Sequence, residues 1–363
     1  MFAYLKTRTL LISLSLLLVG SVLADTGRAQ TIDFGKMDVE KESSRNISKL
    51  LTETQQLWEG QTENLQIETG MLDGKLLVLT ATNQRLRVNL GNELDLLEGE
   101  VSRRIPGKIL LLDSHSLPNR SGRALVTVTF LTGDEFRTTV LVVSREAGEI
   151  NLQKFDSKPW KMIRPVGDRM FSQTFDPNKL WQNDISFLRT TRTGYVNDRE
   201  TDLPEGIRLT SLARLSDERW VGTNGNGNLV LLEGGKILST VEGDFGAPSH
   251  VLKPLNNSWR RGDQGEPVRI TPEVIEGEEL LVVMENPPVQ TGLQGFLSPG
   301  SDPSTLKFFS YGDNELTERS MVGPFEGRVL DVEVPPANPN QLLWLRKLSE
   351  ERVVLEMLDL SRL

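Results

Sequence analysis

The chain contains no cysteine. That excludes disulfides, thiolate metal sites, a thiol nucleophile and a lipid-modified N-terminal cysteine, so stability must come from burial alone. Histidine is nearly as scarce. His115 and His250 are the only two in 363 residues, they lie far apart, and no G-x-S-x-G elbow accompanies them. A histidine metal site or a serine-type triad is therefore not indicated. There is no basic stripe either. The 41 lysines and arginines are interspersed with 50 aspartates and glutamates, for a formal charge of −9, which argues against nucleic acid as a partner.

Long apolar runs are absent with one exception. Lys6 and Arg8 precede the apolar stretch Thr9–Leu23, which is followed by small residues at Ala24 and again at Ala29. The basic, apolar, small-residue order is that of a secretory signal. The expectation is a signal peptide over 1–24, cleaved after Ala24 or Ala29. The product would be periplasmic or extracellular, with no membrane span after cleavage. A membrane anchor would need about 20 apolar residues, and acidic Asp25 follows this stretch at once. Residues 25–56 are polar, with Ile47, Leu50, Leu51 and then Leu57 at helical spacing. They read as an arm or a short amphipathic helix.

From Trp58 onward the texture is that of strands. Runs such as "KLLVLTATNQRLRVNLG", "RALVTVTFLTGDEFRTTVLVVS" and "RWVGTNGNGNLVLLEGGKIL" are β-branched and leucine-rich, and are cut by Asn, Gly and Asp. "QLLWLRKLSEERVVLEMLDL" reads as two strands around a charged turn. Comparable strands begin near Leu76, Ala124, Trp220, Leu280 and Leu342, and a weaker copy falls in Trp160–Phe175. The best marked unit, Ile207–Val241, holds four short strands. Four strands repeating every 40–50 residues or so is the signature of a propeller blade. The expected fold is all-β: a β-propeller of six or seven four-stranded blades over 57–363, with Val353–Leu358 suited to closing the ring. A pair of sheets packed as a sandwich is the structural rival.

The units resemble the FG-GAP/VCBS-type repeat propellers of exported bacterial proteins. The segments that carry the likeness are "LQIETGMLDGKLLVLTATNQRLRVN", "LLLDSHSLPNRSGRALVTVTF", "ITPEVIEGEELLVVMEN" and "LDVEVPPANPNQLLWLRK", together with the unit at Ile207–Val241. The resemblance implies calcium bound by closely spaced aspartates in one loop of each blade. The corresponding loops here, "LSDERW", "IEGEELL", "MLDGKLL" and "PPANPNQLL", lack those repeats. Only "DSHSLPNRSGRA" keeps full length, with Asp113, Asn119 and Gly122. One carboxylate per loop cannot surround Ca²⁺, so no metal or other cofactor is expected.

"TNGNGNLVLLEGGK" (Thr223–Lys236) poses the question of a phosphate loop. Such a loop needs its glycines to open a helix; the apolar run here breaks after five residues. Asn-Gly and Gly-Gly serve instead as hairpin turns. The Arg261–Asp263 tripeptide and the Asn256–Ser258 acceptor motif read as parts of a solvated loop. Trp160, Trp181, Trp220 and Trp344 read as packing between blades. Pairs such as Glu278-Glu279 and Glu350-Glu351 single out no acid and base. No catalytic, cofactor-binding or metal residue is therefore designated. The reading is a non-catalytic binding or scaffold module for protein or glycan in the cell envelope, with the insertions His250–Pro267 and Pro287–Thr305 as contact elements. The alternative is a propeller-type hydrolase or lyase acting on a polysaccharide or peptide, with carboxylates at the central channel.

Overall fold

The structure, a computed structural model, describes residues 55–362 apart from 61–64, 93–96, 117–121, 157, 179, 193, 247–249, 253–265, 270, 276–278, 287–303 and 350–351. The expected signal segment and most of the arm lie outside the described residues. So do Asn119, Arg261–Asp263, Asn256–Ser258, Glu278, Glu350, Glu351 and most of both insertions.

Strand β1 (Gln55–Gly60) opens the chain of elements and belongs to the last blade. Blade 1 is β2 (Leu65–Leu72), β3 (Lys75–Thr82), β4 (Arg85–Gly91) and β5 (Leu97–Arg104). Blade 2 is β6 (Lys108–Ser116), β7 (Arg123–Thr132), β8 (Glu135–Glu146) and β9 (Glu149–Lys154). Blade 3 is β10 (Met162–Val166) and β11 (Arg169–Gln173), then, after the ribbon β12 (Phe175–Asp176) and β13 (Leu180–Trp181), β14 (Ser186–Thr190) and β15 (Tyr195–Glu200). Blade 4 follows a 3-10 turn at Leu209–Ser211 and holds β16 (Ala213–Arg214), β17 (Arg219–Thr223), β18 (Leu229–Glu233) and β19 (Lys236–Val241). A second ribbon, β20 (His250–Leu252) with β21 (Glu266–Val268), precedes blade 5: β22 (Glu273–Ile275), β23 (Leu280–Glu285), β24 (Ser304–Ser310) and β25 (Thr317–Phe325). Blade 6 is β26 (Arg328–Glu333), β27 (Gln341–Lys347), β28 (Val353–Asp359) and, on its outer edge, β1.

The fold is thus a six-bladed β-propeller, each blade a four-stranded antiparallel meander. The ring closes as its ends suggested: β1 pairs with β28, Gln55 opposite Met357 and Gly60 opposite Val353. The second strands of the blades start at residues 75, 123, 169, 219, 280 and 341, which matches the repeat seen in the sequence, the weak third copy included. No second strand falls outside these six sheets to found a seventh blade among the described residues.

Local chemistry sets the turns. In the Thr223–Lys236 stretch, the Asn224 side chain accepts the backbone N–H groups of Asn226 and Asn228 at 3.0 and 3.1 Å, the Asx geometry that makes Asn a turn residue. Gly234 and Gly235 follow at φ of 50° and 77°, and a Cβ on Gly235 would come within 2.4 Å of the Asp202 carbonyl oxygen. Glycine is required there by conformation and by space. The stretch is two consecutive hairpin bends.

Between blades the core is apolar and aromatic. Phe136, Phe175 and Trp181 pack with ring centroids 4.8–5.0 Å apart, and Phe171 meets Trp220 edge to face at 5.4 Å. Trp160, Trp181, Trp220 and Trp344 are all buried, as packing residues should be. Each large aliphatic side chain removed from water contributes about 1.5–3 kcal/mol. In a chain without disulfides, that contribution has no covalent supplement.

Candidate functional site

The first strand of a blade has a partner on one side only, so the N–H groups of its other edge face the centre of the ring. An unpaired edge buried in protein is costly. In this molecule that edge is served by charged side chains from neighbouring blades. Asp331 and Glu333, two residues apart on β26, lie beside β2. Asp331 Oδ2 accepts the Ile67 N–H at 3.1 Å, and Glu333 Oε1 accepts the Thr69 N–H at 3.1 Å and its hydroxyl at 2.6 Å. The period of two in the acceptors matches the period of two in the donors.

The pattern continues around the ring. Glu68 of β2 accepts the Ser114 N–H of β6 at 2.8 Å, and Ser114 Oγ donates back to the Thr69 carbonyl at 2.7 Å. The Gln66 amide donates to the Leu110 carbonyl. Glu273 of β22 accepts the backbone N–H of Val334, just past β26. Blades 6 and 1, 1 and 2, and 5 and 6 are joined in this way.

Arg164 supplies the remaining links. It is buried on β10, and its Nη2 donates to Asp113 Oδ1 of β6 at 2.5 Å. Its Nη1 reaches the carbonyls of Leu209 and Thr210, both at 2.9 Å, and Thr271 Oγ1 at 2.6 Å. Thr271 donates in turn to the Thr210 carbonyl at 3.0 Å. One guanidinium therefore touches blades 2, 4 and 5 from blade 3. Its planar fork of donors suits this task as a lysine's single ammonium would not.

Five carboxyl groups and one arginine cannot all be ionised in so small and dry a space. Burial is the main cause that raises the Glu68, Glu273, Asp331 and Glu333 carboxyls, and their mutual repulsion adds to it. Asp331 is pushed up to about 7 and Glu273 to about 8. Burial also raises Asp113, against the opposing pull of Arg164. The centre of the propeller thus retains protons at neutral pH. Among the described residues no group of three or more His, Cys, Asp or Glu side chains is arranged to hold a metal ion.

The sequence designated no site residues, and the axial set was missed. Its signal was nevertheless present: one or two charges within the first apolar run of five of the six units, as in "LQIETG", "LLLDSH", "MIRPV", "TPEVIE" and "VLDVEV". Asp113, read as a remnant of a calcium loop, lies inside strand β6 and is committed to Arg164, with Thr127 Oγ1 donating to its other oxygen at 3.2 Å. Asp217, the one aspartate of "LSDERW", pairs with Arg214, which also holds Asp168. His115 is half-buried on β6, and burial lowers its pKa. His250 sits in the ribbon strand β20, opposite Val268. The two histidines occupy different elements.

No protein-family model and no curated protein matches this chain. Several solved structures resemble it. A chain of the mitotic checkpoint complex is 11% identical, covers 93% of this chain and 99% of its own, and superposes with a TM-score of 0.43. The WD40 β-propeller domain of Doa1 is 9% identical, with coverage of 86% and 99% and a TM-score of 0.38. The GH93 α-L-arabinofuranosidase of Fusarium graminearum, solved with arabinobiose, is 11% identical, with coverage of 85% and 99% and a TM-score of 0.49. Likenesses this distant carry no inference about task, and the six-bladed ring rests on this chain's own strand pairing.

Proposed function

We propose that this protein is an exported, non-catalytic binding or scaffold module for protein or glycan in the cell envelope, built on degenerate repeats of the FG-GAP/VCBS type. The observation that carries the reading is the use made of the axial charges. Asp113, Glu333, Asp331, Glu68 and Glu273 each accept a hydrogen bond from the backbone or side chain of a neighbouring blade. They act as the fastening of a rigid ring, which leaves ligand contact to the loops around it. The Thr9–Leu23 segment supports export. Capture from envelope extract by the chain lacking residues 1–24, repeated with each of the two long insertions deleted, tests this. The reading expects a recovered protein or glycan that is lost with one of the deletions; identical recovery from both deletions would remove the insertions as contact elements.

A second reading, a hydrolase or lyase acting on a polysaccharide or peptide, is favoured by one observation. Carboxyl groups converge at the ring centre, and two of them are raised to about 7 and about 8, the range in which a general acid works at neutral pH. It expects cleavage of a polysaccharide or peptide that Glu273→Gln abolishes while the fold stays intact. The first reading expects no turnover from either protein.

A further inference from the structure

Around the junction of blades 1 and 2 the charge balance of the molecule reverses. The end of β5, the start of β6, the turn between β7 and β8 and the end of β9 all lie at one end of these sheets, on the face where each outer strand crosses to the next inner strand. They enclose a cleft of about 290 Å³ lined by Arg103, Arg104, Arg137, Lys154 and Lys158, over a floor that includes buried Phe130. Among the described residues no carboxylate lines it, although the chain has 50 acids to 41 bases.

These cations are only partly neutralised by neighbouring acids. Among the described residues Arg137 pairs with Glu135 at 2.9 Å, a glutamate shared with Lys161 at 3.2 Å, and Lys158 lies in the attractive field of Asp156. Arg104 donates to the Gln84 side chain at 3.3 Å. Lys158 Nζ lies 3.7 Å above the Trp160 ring. Among the described residues no ion pair involves Arg103 or Lys154. The cleft is also fixed by backbone: Ile105 N–H bonds to the Gln84 carbonyl at 2.7 Å, Thr138 N–H to the Trp160 carbonyl at 3.0 Å, and Phe155 N–H to the Val140 carbonyl at 2.9 Å. Five cations around one cleft, four of them exposed to water, attract an anion into it. The guanidinium forks of Arg103 and Arg104 each offer bidentate contacts to carboxylate or phosphate, and the lysines add point charges. The volume lies just under the range of ligand pockets, about 300–1,000 Å³.

We propose that this cleft is a binding site for a small organic polyanion of about disaccharide size that carries at least two carboxylate or phosphate groups. The site is separate from the ring centre, and it stands whether or not the chain is exported. The apolar floor takes the carbon skeleton, and Arg103 with Lys154 holds the anionic groups.

Isothermal titration of the full-length chain with digalacturonate, with fructose 1,6-bisphosphate and with neutral maltose tests the proposal, first at low ionic strength and then at about 0.15 M salt. The expected result is saturable one-to-one binding of at least one of the two anions and none of maltose. Affinity should fall by about tenfold or more in the double variant Arg103→Gln, Lys154→Gln, and folding of that variant is checked by circular dichroism. Binding of digalacturonate alone assigns the site to acidic sugars, and binding of the bisphosphate alone assigns it to phosphorylated ones. If the double variant does not fold, Lys158→Gln replaces it with the same expectation. Absence of saturable binding by either anion at low salt overturns the proposal, as does an affinity unchanged in the folded variant.

Discussion

Glu333 and Thr69 lie 264 residues apart, yet one carboxyl oxygen of the first accepts both the backbone N–H and the hydroxyl of the second. This contact sits on the seam where the last blade meets the first, inside the edge that β1 and β28 close from the outside. The ring is therefore fastened twice: by a strand pair at its rim and by a carboxyl group at its centre.

Replacing Glu333 separates acceptor from charge. Glu333→Ala leaves two buried donors unsatisfied and should destabilise the fold by about 2–4 kcal/mol. Glu333→Gln keeps an acceptor oxygen and removes only a charge that burial already disfavours. Its stability at pH 7 should stay within about 1 kcal/mol of the parent. Urea unfolding of the two variants checks the contrast.

The same cluster sets a pH dependence with a definite sign. Glu68, Glu273, Asp331 and Glu333 are all raised in the folded chain, so the folded state binds protons that the unfolded state releases. Their stabilisation is complete below the unfolded carboxyl values of about 4. It is lost as pH rises through about 7 for Asp331 and about 8 for Glu273. Asp156 has the opposite sign: despite its burial, bonds from Trp160, Lys158 and Tyr195 lower it, so its contribution is lost only in acid. The urea midpoint should accordingly fall between pH 5 and pH 9, and a flat or rising midpoint would be incompatible with a protonated axis.

Arg164→Met removes the one cation found at the centre among the described residues. It strands Asp113 and frees three acceptors, on Leu209, Thr210 and Thr271. Breaking a buried pair in this way costs about 3–5 kcal/mol. Adding Asp113→Asn should recover part of that loss, because the stranded charge is gone. A double-mutant cycle by chemical denaturation measures the coupling, and strict additivity would show that the two residues act independently.

Removing β1 opens the rim. A chain begun at residue 61 leaves the edge of β28 unpaired and should melt several degrees lower than a chain begun at residue 51. Differential scanning calorimetry of the two distinguishes them, and equal melting would mean that the central fastening suffices.

The fold was legible because its signals are local. The Asn-Gly and Gly-Gly turns at Thr223–Lys236, the leucine-rich second strands and the spacing of six repeats each depend on near neighbours in sequence. The third unit was faint because it interposes the β12–β13 ribbon between its second and third strands, and blade 4 is irregular where the 3-10 turn at Leu209–Ser211 shortens its first strand to two residues. The centre was not legible for a different reason. Glu68, Asp113, Arg164, Glu273, Asp331 and Glu333 come from five blades and meet only when the ring is closed. In sequence they are one or two charges in an apolar strand, indistinguishable from solvent-facing residues of an alternating pattern. The basic cleft is similar: Arg103 and Lys154 are separated by the whole of blade 2, and an overall charge of −9 conceals them.

The claim that the axial carboxyl groups are protonated fasteners is tested most directly by infrared spectroscopy of the folded chain at pH 7. The account predicts a carbonyl band of protonated carboxyl groups that weakens in Glu273→Gln and again when Asp331→Asn is added, with the folded state retained in both. A spectrum with ionised carboxylates only, unchanged by either substitution, would contradict it.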